Sequence, residues 1–281
     1  FKIKQIDEFF KIFENSRYIV DLCAAPGGWS QVASERLKDK FSLELNNNKE
    51  EFKIISVDLQ EMAPLDHVDI LIGDITRQTT LIEILKRTEN NLIDLVMCDG
   101  APDVTGFNEF DVYVQFQLIL FSLNISVRML REGGTFITKI FKGKYTNRCL
   151  QILLHFFKKV TVSKPRACRN ASFESFLVCE GFFVNCENEL IVSLRNSQIN
   201  EEDIEKLNSL VEMRKEGIEE ELENDENEIE IDLETLDVNF VQVGNDEYDS
   251  DKTYDLESTN YTTLLQPLQM PINPPYKFYI D

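Results

Sequence analysis

Histidine and paired cysteines are scarce in this chain. Its 281 residues include only two histidines, His67 and His155, and six cysteines that form no Cys-x-x-Cys pair. Zinc and other transition-metal sites are built mainly from histidine and closely spaced cysteine, so we expect no metal site. Most of the cysteines lie within apolar runs, which favours buried, reduced thiols over disulfides.

Long hydrophobic runs are missing as well. No uninterrupted stretch of 18 apolar residues occurs, and no secretory signal is visible. A membrane-spanning helix needs roughly 20 mainly apolar residues, and a secretory signal would direct the chain out of the cell. We therefore expect a cytoplasmic protein that does not contact a membrane.

Basic residues become rare after position 181. Up to Gly181 the chain carries 23 Lys and Arg against 24 Asp and Glu, whereas the remaining residues carry 6 against 26. The net charge of −21 therefore belongs almost entirely to the C-terminal part. It says little about the partners of the first part, which is close to neutral.

Short β-rich runs alternate with helical patterns over the first 180 residues. The predicted strands are Tyr18–Cys23, Lys53–Asp58, Asp69–Gly73, Leu92–Asp99, Thr135–Phe141, Lys159–Ser163 and Ser175–Glu180. The predicted helices are Trp29–Lys38, Thr79–Asn90, Asp111–Arg131 and Thr146–Phe157. Apolar strands separated by helices indicate an α/β protein, with a mostly parallel, seven-stranded, Rossmann-like sheet and helices on both faces. The last two strands lack a helix between them, which predicts one antiparallel strand at the sheet edge.

The composition changes beyond position 183. We expect a first domain over 1–183 and a charged helical extension over 184–223, in which Glu201–Glu223 has apolar residues at helical spacing. The strongly acidic stretch 224–258 is expected to be disordered. The Pro- and aromatic-rich segment 259–281 is expected to pack back on the domain.

A glycine turn and two carboxylates follow successive predicted strands. The stretch Val20–Ser30, VDLCAAPGGWS, leaves a strand and opens a helix, and its small residues let the backbone approach a ligand where open α/β folds bind nucleotides. Asp58 could accept both hydroxyls of a ribose, and Asp74 could accept an adenine amino group. Taken singly, the turn could be an ordinary loop and each aspartate a helix cap.

Two further charged residues are placed at or within apolar strands. Asp99 leaves the strand that ends in DLVMCD and is followed by an Ala-Pro turn, while Lys139 stands inside the run Thr135–Phe141. A buried lysine is costly unless it is paired. The alternative is a lysine that extends along the strand end into solvent.

Together these motifs resemble the FtsJ family of RNA 2′-O-methyltransferases, from Phe1 to about Phe182. The resemblance implies a class I methyltransferase fold, S-adenosylmethionine as cofactor, and a catalytic Lys-Asp-Lys-Glu tetrad. By motif, the tetrad corresponds to Lys2, Asp99, Lys139 and Glu174. The residues that the resemblance assigns to the cofactor are Gly27, Trp29, Asp58, Asp74 and Asp99.

Several segments are similar to one subfamily, the eukaryotic methyltransferases of the tRNA anticodon loop. They are Val57–Gln60, Cys98–Gly106, Lys164–Arg166 and the terminal PINPPY. This similarity implies methylation of ribose at tRNA positions 32 and 34, with RNA and a separate helper protein as partners. A ribosomal RNA or mRNA cap methyltransferase, and a catalytically inactive RNA-binding scaffold, stay open as alternatives.

The expected chemistry needs alignment and the removal of one proton, because a ribose hydroxyl is a poor nucleophile at neutral pH. Our hypothesis is that Lys139 is the general base, which requires it to be neutral part of the time. RNA is expected on a basic face formed by Lys142, Lys144, Arg148, Lys164, Arg166 and Arg169. The acidic tail would repel RNA, which leaves three roles for it: an insertion without function, an autoinhibitory mimic of RNA, or a docking element.

Overall fold

The computed structural model describes residues 1–43, 52–89, 91–102, 108–154, 156–183, 238–245 and 249–250. Over these residues the chain forms five helices and eight strands. In chain order they are α1 (Lys2–Phe10), β1 (Tyr18–Leu22), α2 (Gly28–Leu43), β2 (Lys53–Asp58), β3 (Val68–Ile72), α3 (Gln78–Arg87), β4 (Ile93–Cys98), α4 (Asn108–Met129), β5 (Leu130–Phe141), α5 (Thr146–Leu154), β6 (Phe157–Pro165), β7 (Glu174–Phe182) and β8 (Val238–Val243).

The strands form one sheet in the order β3-β2-β1-β4-β5-β7-β6-β8. Neighbouring strands run parallel except that β7 is antiparallel to both β5 and β6. Two hydrophobic clusters cover the sheet, one beneath α3, α4 and α5 and the other beneath α1 and α2. The predicted Rossmann-like α/β sheet with helices on both faces is therefore confirmed.

The predicted position of the antiparallel strand is wrong. β7 lies inside the sheet, between β5 and β6, and not at an edge. Its middle residues, Ser175 to Cys179, are all buried. Alternate side chains enter the two clusters, Phe176 and Val178 on one face and Leu177 and Cys179 on the other. A strand that is apolar on both faces is typical of the interior of a sheet that is covered on both faces.

The predicted count of seven strands is also wrong for the described residues, because β8 adds an eighth. This strand falls within 224–258, which we expected to be disordered, and pairs with β6 from Val160↔Val238 to Pro165↔Val243. Its sequence, VNFVQV, has no acidic residue, so it can pair although the surrounding composition is acidic. The helix expected over 201–223 and the packing expected for 259–281 lie outside the described residues.

Helix α4 is the one helix in the described ranges that is long and apolar enough to cross a membrane by length and composition. An 18-residue stretch of this helix has a mean hydropathy of 1.4, although its apolar residues are not contiguous. Phe116, Ile119 and Leu123 are buried in the cluster between α4 and the sheet. The helix therefore packs as a core helix of the α/β domain.

Candidate active site

The glycine turn after β1 is packed on one side and open on the other. Gly27 has φ +101°, a conformation that side chains rarely adopt, and a Cβ there would lie 3.0 Å from Leu65 Cδ1. A Cβ at Gly28, the first residue of α2, would meet nothing within 4 Å. The turn therefore leaves space for a ligand at the carboxyl edge, the edge of the sheet at which the parallel strands end.

Asp58 connects this turn to the ends of β2 and β3. Its Oδ2 accepts a hydrogen bond from the Ala25 N–H at 2.8 Å, and its Oδ1 accepts one from the Gln60 N–H at 2.8 Å. The Gly73 N–H donates to the Asp58 carbonyl oxygen at 2.8 Å. Because each carboxylate oxygen has two lone pairs, Asp58 keeps acceptor capacity for ribose hydroxyls.

Asp74 follows β3, and its carboxylate accepts hydrogen bonds from its own loop. Its Oδ1 accepts hydrogen bonds from the Thr76 hydroxyl at 2.7 Å and from the Thr76 N–H at 2.9 Å. These two bonds, with a smaller contribution from Arg77, lower the pKa of Asp74 below its ordinary value. Asp74 is thus an ionised carboxylate whose Oδ1 caps a loop, while its Oδ2 lies 3.6 Å from Arg77 Nε.

The side chain of Trp29 points into the core. It is 7% exposed, and its ring packs against Phe176 with centroids 5.5 Å apart. Trp29 lies in the first turn of α2, where backbone N–H groups have no partner within the helix. Trp29 can therefore serve a cofactor through its backbone, while its indole anchors α2 to the sheet.

Asp21 is a buried carboxyl group that the sequence interpretation overlooked. It lies within β1, is 0% exposed, and accepts a hydrogen bond of 2.5 Å from Ser30 Oγ, which also lies 2.6 Å from Ser56 Oγ. Burial raises the pKa of Asp21 to about 8, although the Ser30 hydrogen bond opposes the shift. The available signal was an acidic residue inside an apolar strand, the same kind of signal that singled out Lys139.

Lys139 and Asp99 form the inner pair of the predicted tetrad. Lys139 is 12% exposed, and its Nζ lies 3.0 Å from Asp99 Oδ1 and donates to the Asp99 carbonyl oxygen at 2.7 Å. Cys98 pairs with Thr138 across β4 and β5, so the next residue of each strand falls at the same level. Burial raises the pKa of Asp99, while the positive charge of Lys139 opposes the shift. Lys139 is therefore paired, as its burial requires.

Lys2 and Glu174 form the outer pair. Lys2 Nζ lies 2.5 Å from Glu174 Oε1. Burial lowers the pKa of Lys2, but the hydrogen bond and the negative charge of Glu174 outweigh that cost, so the pKa is raised. Lys2 is consequently held as an ammonium ion.

The sheet brings the two pairs together. Glu174 is the first residue of β7 and lies opposite Phe141 at the end of β5. Side chains alternate along a strand, so Lys139 and Phe141 share a face with Glu174. Asp99 interacts electrostatically with both Lys2 and Glu174. All four residues of the predicted tetrad therefore meet at the carboxyl edge, beside the cofactor candidates.

Part of the predicted basic face is in contact with the C-terminal segment. The Lys142 ammonium lies 5.7 Å from the centre of the Phe240 ring of β8, and Arg166 Nη1 lies 3.5 Å from Asp249 Oδ2. Lys164 Nζ donates to the Ser172 carbonyl oxygen at 2.6 Å, next to the loop that precedes Glu174. Basic side chains therefore do lie near the tetrad, and two of them are in contact with residues beyond position 237.

The residues at the carboxyl edge fit S-adenosylmethionine. The turn is open at Gly28, and the carboxylates of Asp58 and Asp74 follow β2 and β3, the two strands on one side of β1. This is the donor and acceptor set that an adenosine group needs. Within the described ranges, no group of three or more His, Cys, Asp and Glu side chains is placed to hold a metal ion.

Comparison with known proteins agrees with this geometry. A family model described as FtsJ-like methyltransferase matches residues 1–182. The mouse tRNA (cytidine(32)/guanosine(34)-2′-O)-methyltransferase is 38% identical over 280 residues, which are 99% of this chain and 77% of the mouse protein. The Schizosaccharomyces pombe protein of the same description is 38% identical over 283 residues, covering 100% of this chain and 88% of its own length.

A solved structure, described as a ribosomal RNA methyltransferase from Plasmodium falciparum, has the same fold. Its TM-score is 0.55 at 24% identity, and the match covers 64% of this chain and 94% of that one. The likeness to this structure shows the fold alone, whereas the sequence matches show the family. The chain belongs to the FtsJ-like methyltransferase family.

Proposed function

We propose that this protein transfers a methyl group from S-adenosylmethionine to ribose 2′-hydroxyls of the tRNA anticodon loop, at cytidine 32 and guanosine 34. The observation that carries the proposal is the extent of the likeness. The match to tRNA methyltransferases runs over 99% and 100% of this chain, whereas the family model ends at residue 182. The shared features thus include the acidic C-terminal part and are not limited to the methyltransferase domain.

The cofactor, when bound, supplies a methyl group on a positively charged sulfur, which makes that carbon electrophilic. In this proposal Asp58 accepts the ribose hydroxyls of the cofactor and Asp74 accepts its adenine amino group. The backbone of Gly27 and Trp29 lines the turn beside them. Asp99 connects these residues to the rest of the tetrad, since it contacts Lys139 and interacts with the buried Asp21 beside the turn.

Lys139 is proposed to take the proton of the 2′-hydroxyl. The base must be an uncharged amine when the hydroxyl arrives, and the raised pKa of Lys2 keeps that residue charged. Asp99 Oδ1 lies 3.0 Å from Lys139 Nζ and would hold the amine in position for this step. Lys2 and Glu174 would then orient the ribose through their charges.

The proposal includes a helper subunit, which the subfamily resemblance implies, and a cytoplasmic location. The five cysteines in the described ranges are all free thiols, which agrees with a reducing compartment. The segment 184–223 is the proposed place for the helper, because the sequence of Glu201–Glu223 has apolar residues at helical spacing.

Mapping ribose methylation in cells tests this function. Cells without the protein should lose 2′-O-methyl groups at tRNA positions 32 and 34, and the wild-type gene should restore them. Lys139→Ala should not restore them, although the purified variant should bind S-adenosylmethionine within about twofold of wild type. Lys159→Ala is the matched control, because Lys159 forms a 3.0 Å ion pair with Glu180 away from the tetrad. Loss of methyl groups only from ribosomal RNA or mRNA caps would contradict the proposal.

A further inference from the structure

A cavity of about 450 Å³ opens beside the tetrad. It lies between the start of α4, the end of β5 with the loop that follows, and the loop before β7. Six of the residues that line it are Glu109, Phe141, Lys142, Tyr145, Phe173 and Glu174. Glu174 therefore faces both the Lys2 pair and this cavity, and the volume is within the range of small-ligand pockets, about 300–1,000 Å³.

Two aromatic residues of the cavity are anchored in different ways, Tyr145 through its ring and Phe173 through its backbone. The Tyr145 ring stacks on Phe116, with centroids 5.2 Å apart and planes 13° apart, and also contacts Tyr113 at 5.6 Å. Phe173 is 61% exposed, yet its carbonyl oxygen accepts a 2.9 Å hydrogen bond from the Lys142 N–H. A large apolar ring is thus held at the mouth of the cavity by an anchored backbone, and it directly precedes Glu174.

The cavity carries charges of both signs, because the carboxylates of Glu109, Asp111 and Glu174 line it as well as two lysines. Lys142 and Lys144 both line it. Burial lowers the pKa of Lys142, and the charge of Lys164 acts in the same direction. Lys142 and Lys164 therefore lie close together. Clustered ammonium groups beside exposed rings are what a nucleotide needs, with the cations for its phosphate and the rings for its base.

We propose that this cavity holds the base of the nucleotide whose ribose is methylated, stacked on Phe173, with its phosphate near Lys142 and Lys144. The inference rests on the proposed function. Bases of RNA loops can leave the loop stack and lie on aromatic side chains, so the base of the target nucleotide can enter this cavity while its 2′-hydroxyl approaches Lys139. Stacking accepts any base, which suits an enzyme whose relatives are named for both a pyrimidine and a purine target.

Substitution of Phe173 tests the stacking contact. The enzyme is purified with the subunits that copurify with it, and the substrate is an unmodified tRNA transcript with cytidine 32 and guanosine 34. Phe173→Ala should lower kcat/KM roughly 5- to 100-fold, as the loss of one stacked base does, with cofactor affinity unchanged. Phe173→Trp should retain most of the activity. Phe9→Ala is the control, since Phe9 is also exposed, at 57%, but lies near the far end of α1.

A second substrate separates stacking from a structural role. A tRNA with an abasic ribose at the target position keeps the 2′-hydroxyl but has no base to stack. Wild type should lose a similar factor on this substrate, and Phe173→Ala should lose nothing further. An equal loss by Phe173→Ala on both substrates, or activity equal to that of Phe9→Ala, would overturn the inference. If wild type methylates no tRNA at all, the proposed function itself fails.

Discussion

The cofactor edge and the tetrad lie side by side on one sheet, but they are held together differently. At the cofactor edge, Asp58 and Asp74 each bind a backbone N–H two residues away, that of Gln60 or Thr76. Asp58 also binds the Ala25 N–H, 33 residues earlier in the chain. In the tetrad, Lys139 meets Asp99 across 40 residues and Lys2 meets Glu174 across 172.

This difference separates the two functions. The cofactor edge forms within successive βα units, whereas the tetrad exists only after β7 has entered the sheet and α1 has docked. Contacts that are distant in sequence form later and at a higher entropic cost. Apart from Asp99, which belongs to both sets, a substitution in one region should affect methyl transfer or cofactor binding, but not both.

The largest effect is expected from breaking the outer pair. Lys2→Met and Glu174→Gln should each lower single-turnover methylation about 100-fold, because the pair positions the reacting ribose. The double variant should be no slower than either single variant, since the two residues act as a unit. Titration calorimetry should show unchanged cofactor affinity. Additive losses in the double variant would mean that the two side chains act independently.

A weaker effect is expected at the cofactor edge. Asp58→Asn removes a charged acceptor and should raise the Kd for S-adenosylmethionine about tenfold, the size of one hydrogen bond to a charged group. Binding of tRNA should not change. Asp66→Asn is the control, because Asp66 lies in the loop after β2 and its side chain is 87% exposed. If tRNA binding weakens in parallel with cofactor binding, the separation of the two regions is wrong.

The buried Asp21 predicts a pH dependence of stability. Its folded-state pKa of about 8 lies above its ordinary value of 3.8, so the folded protein retains a proton that the unfolded chain loses. The stabilisation is complete below pH 4 and is lost as the pH rises toward 8. The free energy of unfolding of wild type should therefore fall by on the order of 1 kcal/mol per pH unit between pH 6 and 8. Urea titrations of Asp21→Asn should lack this component, and an equal fall in both proteins would exclude Asp21 as its source.

The smallest effect concerns the contact between the basic face and the C-terminal segment. Asp249→Asn removes the negative charge that lies 3.5 Å from Arg166 Nη1, so tRNA should bind about two- to threefold more tightly at low salt, a gain typical of surface pairs. The gain should shrink at 0.5 M salt because of screening. Asp39→Asn makes the same charge change on an exposed residue of α2. An equal gain from both variants would indicate a general charge effect and not a local contact.

Local patterns in the sequence were sufficient for most elements of the sheet. The strand Lys53–Asp58 is found as predicted, and the other predicted strands overlap observed ones. These patterns work because the spacing of apolar residues in a βα unit reflects which of its own side chains are buried. β8 was not predicted, because the acidic composition of the surrounding segment indicated disorder, although the six residues of the strand itself are apolar or amides.

The motifs also identified the family, and the resemblance that they carry predicted the four tetrad residues, since residue types and their order are properties of the chain. Tertiary structure alone decided that β7 lies between β5 and β6, that Lys139 pairs with Asp99 and Lys2 with Glu174, and that Phe173 borders a cavity. It also set the pKa of Asp21, which depends on the absence of water around one carboxyl group. Each of these properties depends on which distant segments meet, and no local pattern encodes that information.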